Sequence, residues 1–295
     1  MRDVYVIGEA RLPVTKRNPV ALRTMGAEVL RTALSAANRN DFDALYVSCL
    51  LGDALEQQQH VGPLIASTAG LVGRECYDVL AATAAGAAAL RTAYLAVAAG
   101  AAETAVALGV ERMSVGEATP ALARVLDAEH EQAHGQNMLS MNARLMERYI
   151  ERYGVSREVF ANFAVNAHRN AQHNPLALFR REFTREQILR SPQVDGPLHV
   201  MDCAPICDGA AAVVLSAEPL SKSESASQAA RPVRVRASTV ATDHLRVDQR
   251  PEPLELNASR WSAERAFAQS GLTTQDIDFF EAHDAFTIMS CLALE

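Results

Sequence analysis

The chain has 295 residues, of which 49% are apolar and 21% charged, and carries a formal net charge of −7. That length and apolar content are enough for a sizeable core in one large or two medium domains. The acidic balance excludes the basic footprint of a nucleic-acid-binding protein.

Short β-rich runs alternate with longer helical patterns along the first third. Val4 to Ile7 reads as a strand. Ala21 to Ala37 reads as a helix, because Leu22, Met25, Val29, Leu30 and Leu34 recur at helical spacing. Ala44 to Ser48 predicts a strand, His60 to Leu71 a helix, and Tyr77 to Leu80 another strand. Ala84 to Ala98 predicts an alanine-rich helix and Thr104 to Val110 a fourth strand. Strands alternating with helices argue for a parallel, doubly wound α/β sheet. The surrounding stretch Ala81 to Ala102 is the most apolar in the chain, but it is mostly alanine and contains Arg91. Alanine partitions weakly into lipid, so a core helix and no membrane span is expected.

From Glu111 to about His199 charge rises and strand signals fade. Helices are expected at Asn137 to Tyr153, Arg157 to Ala171 and Thr184 to Leu189. Core texture returns in the run Asp208-Gly209-Ala210-Ala211-Ala212-Val213-Val214-Leu215. Residues 218–231 are small and polar and read as a linker. The remainder repeats the opening. Asp41-Phe42-Asp43-Ala44-Leu45-Tyr46-Val47 follows a first helix, and Asp276-Ile277-Asp278-Phe279-Phe280-Glu281-Ala282 follows a second one that ends near Gly271. Each copy comes after an earlier apolar run, Val4 to Ile7 or Val233 to Ala237. The repeat predicts a duplicated β-α-β unit. The second copy reaches Glu295 without its later strands, so the second half is expected to be incomplete or completed by another chain.

The five cysteines (Cys49, Cys76, Cys203, Cys207, Cys291) are scattered and odd in number. They fit a reduced, cytoplasmic protein better than a disulfide scaffold. Cys203 and Cys207 read as buried small hydrophobes and not as zinc ligands. No signal-peptide pattern precedes the first strand. His130-Glu131-Gln132-Ala133-His134 fits the H-E-x-x-H pattern of zinc hydrolases. Asp127, Glu129 and Gln132 crowd this run and Gly135 ends it, so a solvated charged turn and no metal site is expected. Strings for dinucleotide, nucleotide-phosphate or serine-hydrolase sites do not occur.

Several segments carry a family resemblance in the same order along the chain. Val79-Leu80-Ala81-Ala82-Thr83-Ala84-Ala85-Gly86 resembles the strand-to-helix turn of thiolases. Gly109-Val110-Glu111-Arg112-Met113-Ser114 is similar to the family's next strand end. Asn174-Pro175, Ser191-Pro192, Asp202-Cys203-Ala204-Pro205 and Asp208-Gly209-Ala210-Ala211-Ala212 follow. His283-Asp284-Ala285-Phe286 resembles the corresponding motif of sterol carrier protein X-type thiolases.

The resemblance implies a duplicated, layered α-β-α-β-α fold. Residues 1–110 and 200–217 would form the first half, 111–199 a helical insertion, and 232–295 a partial second half. It also implies Claisen condensation or thiolysis of 3-ketoacyl-CoA in lipid metabolism, with a coenzyme A thioester as substrate and no bound cofactor. Acyl-CoA is then the small-molecule partner. A homo-oligomer, or a hetero-oligomer with a completing chain, is the expected assembly.

In the family a cysteine at the turn accepts the acyl group, activated by the helix N-terminus. Here Thr83 occupies that position. A hydroxyl becomes a nucleophile only beside a base, and the alanine-rich neighbours supply none. Thr83 reads either as an acyl acceptor or as a helix N-cap. His283 reads either as an auxiliary group near an oxyanion hole at a strand end or as a buried, hydrogen-bonded histidine. Two alternatives to an acyltransferase follow. One is a non-catalytic thiolase-like subunit of a larger assembly, and the other a thiolase-like aldolase acting on 3-hydroxyacyl-CoA.

Overall fold

The structure, a computed structural model, describes residues 2–220 and 233–295. Most of the expected linker therefore lies outside the described residues. In chain order the elements begin with β1 (Tyr5–Arg11), α1 (Leu22–Ala36), β2 (Ala44–Ser48), α2 (Gly52–Glu56) and α3 (Val61–Thr68). Then come β3 (Glu75–Asp78), α4 (Ala85–Ala99), β4 (Thr104–Arg112), α5 (Ala118–Ala123), α6 (Met138–Tyr153) and α7 (Ala161–Ala171). The last are α8 (Arg185–Leu189), β5 (Gln193–Asp195), β6 (Leu198–His199), β7 (Asp208–Ser216), β8 (Val233–Arg234), α9 (Asn257–Ser270) and α10 (Thr287–Leu294). The chain divides into two compact units: Met1–Ala118 with Ile206–Ser238, and Thr119–Pro205 with Thr239–Glu295.

The first unit is built on a six-stranded sheet in the order β3-β2-β4-β7-β1-β8. Helices cover both faces. On one face α1 buries Met25, Val29, Leu30, Ala33 and Leu34 beside Leu45, Val47 and Ile65. Each large aliphatic side chain removed from water there contributes about 2 kcal/mol. On the other face α4 lays Ala85, Ala89, Ala93 and Val97, spaced four apart, towards the sheet. The residues Ala82–Ala99 are long and apolar enough to cross a membrane by length and composition, but this alanine stripe packs against Ala44, Tyr46, Ala105 and Ala107. Small side chains allow the helix to sit close to the strands.

Only part of the sheet is parallel. β2 pairs in parallel with both β3 and β4, but β7 runs antiparallel to β4 and to β1. The run at Asp208 was expected as core and is core. Its direction is a correction to the all-parallel expectation. Between β4 and β7 the chain runs through α5 to α8 of the second unit, so no local β-α-β crossover sets β7 parallel to β4.

The second β-α-β copy is a further correction. Its first strand is only Val233–Arg234, and it pairs with β1 at the edge of the first sheet. The Asp276–Ala282 run, expected as a strand, begins at the end of a short 3-10 turn (Thr274–Asp276) and continues as irregular chain. A strand gains its backbone bonds from a neighbour, and no described strand lies beside this run. Phe279 and Phe280 consequently stand 84% and 61% exposed.

The second unit is mainly helical. α6 opens with a reciprocal cap: the Asn137 side chain accepts the N–H groups of Leu139 and Ser140, and the Ser140 hydroxyl accepts the Asn137 N–H. Met146, Phe160, Leu198 and Ile288, all fully buried, share one core. The segments expected as a helical insertion and as a C-terminal half therefore contribute to the same core. Asp202 ties it together. Its carboxylate accepts from Arg157 at 2.9 Å, the His199 N–H at 3.0 Å and the Thr287 hydroxyl at 2.9 Å.

Candidate active site

In an open α/β sheet, ligands meet the carboxyl ends of parallel strands. Those ends here belong to β2, β3 and β4. Past β3, Val79 adds one more bond by donating to the Val47 carbonyl at 2.7 Å. The chain then turns sharply. Ala82 adopts a left-handed conformation at φ 47°, which costs a residue with a Cβ about 1 kcal/mol or more. The Ala84 N–H bonds to Ala81, the Ala85 N–H bonds to Ala82, and α4 begins. Thr83 sits on the outside of this turn and is exposed. Strained strand-to-helix turns of this kind present nucleophiles in other enzymes.

Thr83 does not cap the helix. Ala84 is the N-cap, with no side-chain cap bond, which corrects the N-cap reading. The N–H groups of Gly86 and Ala87 consequently have no backbone acceptor among the described residues. They offer hydrogen bonds, and the positive end of the α4 dipole, to a carbonyl or oxyanion held beside Thr83.

Behind the turn, Ser48 ends β2 with its hydroxyl under the first turn of α4. A Cβ on Gly86 would stand 3.9 Å from that oxygen, and a Cβ on Gly109 of β4 would stand 3.5 Å from it. Beside it, Glu111 closes the end of β4. Its carboxylate accepts the Leu50 N–H at 2.8 Å, the Leu51 N–H at 3.3 Å and the Cys49 thiol at 3.4 Å. Burial raises the Glu111 pKa above the usual range, against the opposing pull of these donors. Asp78, at the end of β3, accepts the N–H groups of Val61 and Gly62 at 2.9 and 2.6 Å and so fixes the start of α3. Asp208 is fully buried, and its carboxylate accepts the N–H groups of Asn18 and Ser114 and the Ser114 hydroxyl.

Burial weakens the thiols near this end as nucleophiles. Burial pushes Cys49 far above its normal value, and the neighbouring Glu111 adds to the shift. Burial likewise pushes Cys76 up to about 12 and raises Cys207. A thiol held protonated is a poor nucleophile. His60 is the sole histidine of this unit. It stands at the N-cap of α3 in a left-handed conformation.

His283 belongs to the second unit. It is exposed, in the irregular chain ahead of α10. The motif is anchored by its later members: Ala285 accepts the Ala204 N–H at 2.8 Å, and Phe286 bridges to Cys203. The expected setting at a strand's end is corrected accordingly, because the strand does not form. Thr83 and His283 thus lie in different units, each positioned by its own local structure.

The H-E-x-x-H run forms the expected charged turn. Gln132–His134 is a 3-10 turn, so the two imidazoles do not share an α-helical face. His130 Nδ1 meets Asp127 at 3.0 Å, and the buried Glu131 accepts the Asp127 N–H at 2.9 Å. Among the described residues no three metal-ligating side chains converge.

The profile of the thiolase N-terminal domain matches residues 4–219, and that of the thiolase C-terminal domain-like family matches residues 239–295. The chain belongs to the thiolase family. An acetyl-CoA acetyltransferase of Methanothermobacter thermautotrophicus is 37% identical over the whole chain, which covers 77% of that thiolase. Another, from Methanocaldococcus jannaschii, is 32% identical, with 76% of it covered. Sterol carrier protein 2 of Gallus gallus is 26% identical over the whole chain, which spans 56% of it. Among solved structures, the Ltp2-ChsH2(DUF35) aldolase superposes with a TM-score of 0.80 at 22% identity, over 99% of this chain and 76% of that one. That likeness establishes the thiolase-like α/β fold.

The sequence pointed to Thr83 and His283 by motif alone. Gly86, Gly109 and Glu111 lay inside the motif strings without a role, and Ser48 went unnoticed, since these residues meet only once β2, β4 and α4 are assembled. The one available signal was Glu111, an acid directly after an apolar strand.

Proposed function

We propose that this thiolase-family chain binds acyl-CoA thioesters with the thioester carbonyl at the Thr83 turn, as an acyl-CoA acyltransferase of the acetyl-CoA C-acyltransferase type. The observation that carries the reading is the exposed turn itself: a strained Ala82, an outward Thr83 and unpaired N–H groups on Gly86 and Ala87. Such donors stabilise charge developing on a carbonyl oxygen. The acetyl-CoA acetyltransferase relatives support the substrate class. The thioester is substrate, and no resident cofactor is required. Five free cysteines support a reducing, cytoplasmic setting.

A second reading has its own support. Among the described residues no base is bonded to Thr83, and Glu111 is committed to the Leu50–Leu51 backbone. A non-catalytic acyl-CoA-binding subunit follows from that lack. Association through the free edge of β3 suits both readings. This edge strand is four residues long, and Tyr77 and the following Leu80 are 57% and 63% exposed.

Calorimetric titration with acetyl-CoA, followed by assays of acetoacetyl-CoA thiolysis and 3-hydroxyacyl-CoA cleavage, tests the proposal. Saturable binding with thiolysis supports the acyltransferase, and binding without turnover supports the silent subunit. Cleavage of the hydroxyacyl substrate alone would assign an aldolase. Absence of saturable binding overturns the reading.

A further inference from the structure

A cavity of about 420 Å³ opens in the second unit, between the 130–136 turn, α6 and the 246–248 turn. Its floor is apolar, formed by Met141, Leu145 and Val247. Its walls are charged, and most of those groups already have polar partners. Glu131 accepts the Asp127 N–H, and Arg246 is bonded to Asp248 at 2.5 Å. The exceptions are Arg144 and Arg148. Both line the cavity, and neither makes a hydrogen bond or ion pair among the described residues. Glu252, the acid that senses Arg148 from a distance, is itself bonded to Arg152.

Arg144 and Arg148 are four residues apart on α6, so their guanidinium groups project from one face of the helix. Like charges at this spacing repel each other. An anion between them relieves that repulsion. Two planar forks above an apolar floor match a phosphoryl group better than a single carboxylate, since each fork can offer paired N–H donors to phosphate oxygens.

We propose that Arg144 and Arg148 form a phosphoryl-binding site for a phosphate or pyrophosphate group whose attached apolar portion lies on Met141, Leu145 and Val247. Two sources share this chemistry: the nucleotide end of a CoA thioester, or a separate phosphorylated metabolite. The site rests on its own geometry, and only the CoA assignment depends on the function proposed above.

The test is calorimetric titration of the full chain with inorganic pyrophosphate, CoA and phosphate-free pantetheine. It is repeated for the R144Q/R148Q double variant and for R180Q, a control at an exposed arginine outside the cavity. Both altered arginines are exposed, so unchanged thermal melts confirm folding. The expected result is saturable pyrophosphate binding that weakens by about tenfold or more in R144Q/R148Q and is unchanged in R180Q. A parallel loss for CoA, with pantetheine unaffected, supports the CoA source. CoA binding that is unchanged, or absent altogether, alongside the pyrophosphate loss supports the separate metabolite. Absence of CoA binding would also count against the acyl-CoA reading while leaving this site intact. Pyrophosphate binding that is absent, or equal in all three proteins, overturns the site.

Discussion

Restoring a thiol at the turn should reveal what the turn does to it. In the T83C variant the introduced side chain stands one residue before the N-cap of α4, beside the unpaired N–H groups of Gly86 and Ala87. A helix N-terminus lowers a thiol from about 8.5 to roughly 7. At pH 7 the thiolate fraction then rises from about 3% to about half. Nucleophilicity falls with basicity at a Brønsted slope of about 0.45, which takes back roughly a factor of five. The net gain over a free thiol is about threefold. Cys203, by contrast, is pushed up to about 11 by burial. By the same arithmetic it reacts about twentyfold more slowly than a free thiol, before any loss of access. The introduced thiol should therefore exchange with a small aromatic disulfide on the order of fifty- to a hundredfold faster than Cys203. Stopped-flow exchange at pH 7, with the labelled peptides located by mass spectrometry, measures this ratio. A rate no greater than that of Cys203 would mean the turn provides neither exposure nor electrostatic activation.

Other positions make independent demands. D208A removes the acceptor for two N–H groups and one hydroxyl in a fully buried setting; a loss of about 4 kcal/mol and a fall in melting temperature of roughly 8–16 °C are expected by calorimetry. In G8A the new Cβ would sit 2.6 Å from the Ala33 carbonyl oxygen and 2.7 Å from the Ala37 Cβ. Helix α1 must then move off β1, at about 3 kcal/mol, and chemical denaturation should show it. His168 packs edge-on to Phe183 with a buried, unpartnered Nδ1, and burial, aided by Arg181, holds its pKa below the ordinary 6.5. The folded state then binds this proton less readily than the unfolded chain. Its contribution is complete above pH 6.5 and is lost as pH falls through the lower folded value. H168F should flatten the decline in melting temperature over that window, and an unchanged slope would assign the decline elsewhere.

The sequence was most legible where one periodicity prevailed. The aliphatic spacing of α1 and the apolar β2 run are local signals, and both elements appear within a residue of their expected ends. The Asp208 run announced a core strand, but its antiparallel direction depends on the route taken through 113–207, which no local pattern encodes. Asp276–Ala282 carries the same string type as β2, yet β2 has β3 and β4 beside it and this run has no described neighbour. Propensity alone does not make a strand. At the site, Thr83 was visible through its motif, whereas Cys49 and Glu111 are 62 positions apart and meet only through the sheet. The cap that Thr83 was expected to supply is absent because the αL residue Ala82 tightens the turn and moves the N-cap to Ala84.

Hydrogen–deuterium exchange with and without acetyl-CoA is the most direct test of acyl-CoA binding at the Thr83 turn. The account predicts that a peptide spanning Ala81 to Leu90 gains protection, centred on the free N–H groups of Gly86 and Ala87. Binding detected by calorimetry with no change in that peptide would contradict it.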